Sequence, residues 1–136
     1  MTQRLQELTY LLGDINFEGH TFNCLPIHGE QDVLQVLVSE LDALPIYMTI
    51  TENQILCISY LCRKDEINPD QLGELNQLLL ELNVAVPLSA FSIVDNYYVI
   101  FGALATSSSN DDICKELITL AANSYDALEA IETYLK

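Results

Sequence analysis

Between residues 21 and 62 the chain offers four apolar, strand-like runs, roughly 21–28, 33–40, 45–51 and 54–62, with nothing longer than a turn between them. The separators are Gly29-Glu30-Gln31-Asp32, Asp42-Ala43-Leu44-Pro45 and Glu52-Asn53. Parallel neighbours need a crossover of about a dozen residues or more, so gaps this short demand antiparallel pairing. Asp95-Asn96 supplies another hairpin turn, between runs 89–94 and 97–104. Whatever else the chain forms, it must build an antiparallel sheet.

Helical signals occupy what remains. Residues 2–12 place Leu5, Leu8, Leu11 and Leu12 at helical spacing and close at Gly13. Asn68-Pro69-Asp70 joins a cap, a proline at the first helical position and an early carboxylate, and opens a helix running to about Asn83. Pro87 breaks the chain again. Ser109 with Asp112 approximates a capping box at the head of the last helix. There Ile113, Leu117, Leu120, Ala121, Leu128, Ile131 and Leu135 fall within about 100° of arc. The stripe survives Asn123-Ser124, which predicts one continuous helix. The expected fold is α+β, an antiparallel sheet backed by helices in the order α-β-β-β-β-α-β-β-α, with residues 1–136 as a single acidic domain.

Charge excludes several functions. Twenty Asp and Glu face five Lys and Arg, a formal charge of −15. Affinity for phosphate comes largely from basic side chains, so nucleic acid is not an expected partner, and an anionic membrane surface is disfavoured for the same reason. Residues 5–62 carry eight carboxylates and no Lys or Arg, and residues 65–114 repeat that pattern. Such charge gives solubility to any domain; it also suits steering of a basic partner. Half of the residues are hydrophobic, too many for an acidic disordered chain.

No run of 18 apolar residues exists, so direct membrane insertion is not expected. Met1-Thr2-Gln3-Arg4-Leu5-Gln6-Glu7 lacks the basic and apolar regions of a signal peptide. Cytoplasm is the expected compartment, with Cys24, Cys57, Cys62 and Cys114 as free thiols.

Catalytic and metal-binding patterns are missing. His20 and His28 form no paired ligand motif, and Pro26 and Gly29 interrupt their segment. Cys57 and Cys62 stand at C-x4-C inside a strand, an odd spacing that predicts opposite faces, whereas a zinc knuckle needs thiolates converging from a turn. The five glycines are dispersed, so no phosphate-cradling loop can be drawn. Ser107, Ser108 and Ser109 have no histidine near them in sequence, and Asp111-Asp112 at a helix start complements the macrodipole. The expectation is no enzyme, no cofactor and no metal.

Apolar surface, by contrast, is in surplus. Run 54–62 carries Ile55, Cys57 and Leu61 on one face and Leu56, Ile58, Tyr60 and Cys62 on the other. Run 97–104 does the same with Tyr97, Val99, Phe101 and Ala103 against Tyr98, Ile100 and Leu104. A sheet solvated on one side alternates apolar with polar, so something is expected to cover the second face: a helix of the chain, a partner or a second copy. On the middle helix, Leu72, Leu75, Leu79 and Leu82 form the core stripe, Leu78 sits on its flank, and Leu80 falls about 120° from its centre. Leu78 and Leu80 are therefore the candidate protein-interface residues, and a homodimer is the expected assembly.

The segments Leu44-Pro45-Ile46, Gln54-Ile55-Leu56-Cys57, Pro87-Leu88-Ser89-Ala90-Phe91 and Tyr98-Val99-Ile100-Phe101-Gly102-Ala103-Leu104 resemble those of the YjfI-like family of uncharacterised bacterial proteins. The resemblance is strongest from Leu34 to Leu120. It carries over no catalytic residue, and it implies a partner related to membrane-stress proteins. In element order, size and acidity the chain also resembles the secretion-chaperone-like fold, whose dimers hold an extended client segment. Together these readings give a non-catalytic cytoplasmic binding protein, a chaperone-like adaptor or regulatory partner. The alternatives are a small-ligand-binding protein or enzyme, which requires a closed pocket with convergent polar groups, and a structural subunit of a larger assembly.

Overall fold

The short gaps fold into an antiparallel meander of β1 (Phe22–Ile27), β2 (Val33–Val38), β3 (Ile46–Ile50) and β4 (Ile55–Arg63). The computed structural model describes residues 3–136, so the expected helix start at Thr2 lies outside the described residues. A second hairpin consists of β5 (Ala90–Val94) and β6 (Tyr97–Leu104), turned by Asp95 at φ 54°. Aspartate tolerates that left-handed conformation better than most residues. This hairpin joins through β6, which pairs with β4 and leaves β5 at the edge. The result is one six-stranded sheet in the order β1-β2-β3-β4-β6-β5, antiparallel throughout.

Three helices complete an α+β fold in the expected order: α1 (Gln3–Asp14), α2 (Leu72–Leu82) and α3 (Asn110–Glu132). Ser109 caps α3 as its position predicts, its Oγ accepting from the Asp112 backbone N–H at 3.1 Å. That helix runs unbroken through Asn123-Ser124. Three helix ends differ from expectation. Helix α3 stops at Glu132, and Leu135, expected on its stripe, lies beyond it in a bridge to Ile67. Gly13 is helical and α1 continues to Asp14, because the glycine does not take the left-handed conformation that stops a helix. Asn68 does not cap α2; its side-chain amide donates to Gln71 Oε1 and to the Leu135 carbonyl, and a short 3₁₀ turn over Pro69–Gln71 precedes the helix.

All three helices lie on one face of the sheet. Helix α1 covers β1 and β3, while α3 crosses β2, β4 and β6. At the β5 edge, α2 is fastened by two polar contacts: the Tyr98 hydroxyl donates to Asn76 Oδ1 at 2.6 Å, and the Phe91 backbone N–H donates to Asn83 Oδ1 at 2.6 Å. Between the layers Leu5, Leu8 and Leu12 from α1, Ile113, Leu117 and Leu120 from α3, and Leu34, Val36, Met48, Ile55 and Ile100 from the sheet form one core.

The alternation along β4 is interrupted. The register against β6 shifts between Tyr60 and Cys62, so that Tyr60 opposes Val99 but Cys62 opposes Tyr98. One extra residue, Leu61, moves every later side chain to the other face. Cys57 opposes Gly102 and Cys62 opposes Tyr98, four residues apart on one strand, so both cysteines face the helices. The expectation of opposite faces is thereby corrected. All four cysteines are free.

Burial raises their thiol pKa values, to about 12 for Cys57 and about 11 for Cys24 and Cys62, with Glu66 adding to the effect at Cys62. Cys114 shifts in the same direction, first by burial and then through Asp111. Alkylation of the native protein at pH 8 should therefore be slow at every cysteine, since the thiolate is the reactive form. The unreduced protein should take four labels once unfolded. Mass spectrometry reads both, and a deficit after unfolding would reveal a disulfide.

One carboxyl group lies inside. Glu116 of α3 is 3 % exposed and its Oε1 has no hydrogen-bond partner. It lies over Gly102, where a Cβ would overlap the carboxylate and come 3.1 Å from the Leu88 carbonyl oxygen. Gly102 thus marks a close approach of helix to strand, the usual reason for glycine inside a strand. Desolvation raises the Glu116 pKa, so the folded state holds this proton more tightly than the unfolded chain does. Stability from the group is full below the unfolded value and declines as pH rises through the folded one. Glu116→Gln should accordingly raise the melting temperature at neutral pH and change little below about pH 4, where the acid is neutral in both states. Thermal unfolding at the two pH values checks this, and a less stable variant at pH 7 would refute it. Gly102→Ala should cost about 1–3 kcal/mol by overpacking, and part of that cost should vanish in a Glu116→Ala background.

Candidate functional site: the open face of the sheet

Because the helices share one face, no described element covers the other. Strand alternation and register put Leu25 and Ile27 of β1, Val33 and Leu37 of β2, Tyr47 of β3, Leu56, Ile58 and Tyr60 of β4, and Tyr97, Val99 and Phe101 of β6 on this open side. Leu25 is 55 % exposed and Tyr60 and Tyr97 are each 38 % exposed. Val99, opposite Tyr60 on one side and Ser92 on the other, is fully buried outside the core between the layers. The surplus apolar residues of runs 54–62 and 97–104 on this side, Val99 apart, thus remain at least partly accessible, with no described helix upon them.

Three tyrosines cross this face from β3 to β6, towards the end where β6 begins. Tyr47 and Tyr60 meet edge to face with centroids 6.0 Å apart, and Tyr60 and Tyr97 do so at 5.4 Å. Such pairs hold aromatic rings in fixed orientations before any partner arrives. Sequence reasoning singled out Tyr60 and Tyr97 but not Tyr47. Its position was legible in the alternation of Ile46 and Met48, both buried, with Tyr47 and Thr49.

Charge is concentrated around the face, and the one charge on it is Arg63, which opposes Tyr97 at the end of β4. Arg63 is the one charged residue in the six strands, and its Nε lies 3.0 Å from Asp65 Oδ1 and 4.0 Å from Glu66 Oε1. None of the chain's twenty carboxylates belongs to a strand. Exposed carboxylates occupy the connecting loops instead, with Glu30 and Glu52 at one end of the sheet and Glu40, Asp42, Asp65 and Asp95 at the other. Depletion of charge at the centre with charge at the rim is the composition of a protein-binding surface.

The candidate interface residues of α2 are separated by the helix. Leu80 is 69 % exposed and borders a groove of about 400 Å³ with Leu79, Phe91 and Ile93. Leu78, half-buried, does not line that groove and lies about 160° from Leu80 around the helix. Asn76, Tyr98 and Asn83 also line the groove; the Oδ1 atoms of Asn76 and Asn83 are engaged by the Tyr98 hydroxyl and the Phe91 N–H, which leaves their Nδ2 groups as the amide donors the groove offers. The rest of its lining is mainly apolar, with Leu79, Leu80, Phe91 and Ile93.

His20 Nδ1 lies 3.3 Å from the Ser39 carbonyl oxygen, and His28 Nδ1 lies 3.6 Å from Asp32 Oδ1. Among the described residues, no group of three or more His, Cys, Asp or Glu side chains is placed to hold a metal ion. No described helix is long and apolar enough to cross a membrane.

Comparison with known proteins agrees with this architecture. Over 91–97 % of this chain the fold is similar to that of two solved structures. One is YbjN, a putative transcription regulator from E. coli, with TM-score 0.61, 14 % identity and 92 % of that chain covered. The other is the heterodimeric ExoU–SpcU complex from the type III secretion system of Pseudomonas aeruginosa, with TM-score 0.55, 13 % identity and 94 % of the matched chain covered. In sequence the chain is 30 % identical over 115 residues to the uncharacterised protein YjfI of Escherichia coli K12, covering 81 % of this chain and 84 % of the relative. The protein of the same name from Escherichia coli O157:H7 matches equally. Residues 2–135 match the model of a family described as an uncharacterised protein conserved in bacteria (DUF2170), and the chain belongs to that family.

Proposed function

We propose that this chain, acting as one acidic domain, is a non-catalytic protein-binding module of the cytoplasm: a chaperone-like adaptor or regulatory partner. The observation that carries the reading is the open sheet face. It is largely apolar, crossed by three tyrosines, and free of carboxylates in a chain that has twenty of them. A fold shared with a chain of a heterodimeric secretion-system complex and with a putative regulator suits a protein that works by holding another protein. A client drawn from the membrane-stress response is the finer form of the reading.

A photo-crosslinking residue placed at Tyr60, on the open face, should trap a protein in native cells. The same residue at Tyr10, 74 % exposed on the helix side, should not. Absence of a protein adduct at Tyr60 would remove the reading.

A second copy is proposed to bind through the α2 side, with Leu80 inside the contact and Leu78, about 160° away around the helix, at its margin. Leu80, Val84, Leu88 and Ile93 are all exposed along or beside α2 and the β5 edge, which supports this assembly. Like charges of −15 oppose the pairing, so the dimer should tighten as salt screens them. Leu80→Asp should weaken the dimer about tenfold or more, ~1.4 kcal/mol, and leave the fold intact. Sedimentation at micromolar concentration measures both effects. A monomer at physiological salt would refute the assembly, and an undiminished Leu80→Asp dimer would move the interface off α2.

A further inference from the structure

Resting on that reading, we infer that the open face takes one kind of occupant: a cationic amphipathic helix, with an apolar stripe for the centre of the sheet and Lys or Arg on its flanks. The first step concerns hydrogen bonding. Strands β2, β3, β4 and β6 are paired on both sides, so the middle of the face offers side chains and no free backbone ladder. An extended segment laid there would leave its own N–H and C=O groups unmatched, and such groups are costly to remove from water. A strand added at either edge, β1 or β5, would extend the sheet beside the face without covering the tyrosines of β3, β4 and β6, and at β5 the Phe91 N–H is already given to Asn83 Oδ1. A segment that buries apolar side chains on this face must therefore satisfy its backbone internally, as a helix does.

The second step concerns charge. The contact centre around Tyr47, Ile58, Tyr60 and Phe101 is neutral, so it accepts an apolar stripe with no carboxylate to desolvate. Both ends of the sheet present exposed carboxylates: Glu30 and Glu52 at one, Glu40, Asp42, Asp65 and Asp95 at the other. At the second end Arg63, on the open side opposite Tyr97, is held by Asp65 and Glu66, and Lys64 and Lys136 lie beside Asp65 and Asn96. The carboxylates that dominate for an occupant are therefore Glu30 and Glu52 at one end and Glu40 and Asp42 at the other. Basic flanks on the occupant meet this rim favourably, and the tyrosine rings add faces on which a cation can rest. A second copy stacked face to face would instead bring two acidic rims together between chains of −15 each. Charge complementarity thus selects a basic helix over the chain's own sheet.

The experiment uses the full chain and defined probes. One is a peptide of about 18 residues, five helical turns, with leucines on one face and lysines on the flanks. The others are a scramble of it and a version with glutamate in place of lysine. Fluorescence anisotropy should show micromolar binding of the Leu/Lys helix, weaker binding by about tenfold or more for both controls, and loss of affinity between about 50 and 500 mM salt. Ile58→Asp and the more exposed Tyr60→Asp should each weaken binding about tenfold with an unchanged circular dichroism spectrum, while Leu80→Asp should leave it unaltered. Equal binding of the scramble or of the glutamate version would overturn the inference, as would binding that survives both face substitutions. Loss of self-association in folded Tyr60→Asp would assign the face to a second copy and overturn it too. A protein adduct at Tyr60 without Leu/Lys binding overturns the helix and leaves the adaptor reading standing; absence of any adduct removes the adaptor reading itself.

Discussion

Burial of one sheet face under all three helices is the constraint on which the rest of this structure depends. Each helix presents a single apolar stripe, and a stripe joins one core. Leu5, Leu8 and Leu12 of α1 and Ile113, Leu117 and Leu120 of α3 meet the same row of strand residues, from Leu34 and Val36 to Ile55 and Ile100. Helix α2 closes the β5 end through Leu75 and Leu79, with Tyr98 fixing its azimuth by the bond to Asn76. No further apolar stripe is left to cover the second face. The residues there are largely apolar, with Asn23, Gln35, Thr49, Ser92 and Arg63 among them, and all but Val99 of the apolar ones meet solvent at least in part.

Charge follows that division. A net −15 sets up self-repulsion that a compact state tolerates only if the carboxylates stay hydrated and spread. Loops and outward helix positions carry them, and the strands carry none. Glu116 is the exception among the described residues, a buried carboxyl lying over Gly102 beside Cys57. Its raised pKa and its unpartnered oxygen have one physical origin, removal from water without a compensating donor. The strand glycine and the buried acid are two parts of one packing solution, because any side chain at position 102 would displace the carboxylate.

The two exposed apolar regions differ in kind. The open face is broad, built on strands already paired, and ordered by edge-to-face tyrosine contacts. The α2 groove, of about 400 Å³, has its asparagine Oδ1 atoms matched within the chain and their Nδ2 groups open. On the open face, side-chain area without free backbone favours macromolecular partners over small ligands, since orientation then comes from shape and from the surrounding charge.

Local chemistry made much of this legible. Turn-length gaps required antiparallel strands, the stripe from Ile113 to Ile131 required one long helix, and Ser109 marked where it starts. Even the surplus was visible, because period-two apolar residues on both sides of β4 and β6 exceed what one core needs. Three matters were settled only by the assembled fold. The bulge at Leu61 turns Cys62 toward the helices, and a one-residue shift in pairing has no signature along one strand read alone. The placement of β6 between β4 and β5 depends on which edge buries more surface, a comparison between elements distant in sequence. Glu116 sits about 40° from Leu120 on α3, at the margin of the stripe, where periodicity does not separate inside from outside. Likewise, the sequence by itself determined that a second apolar face exists; only the tertiary structure decided that it stays open, because which side the helices take is a property of the packed layers and not of any segment.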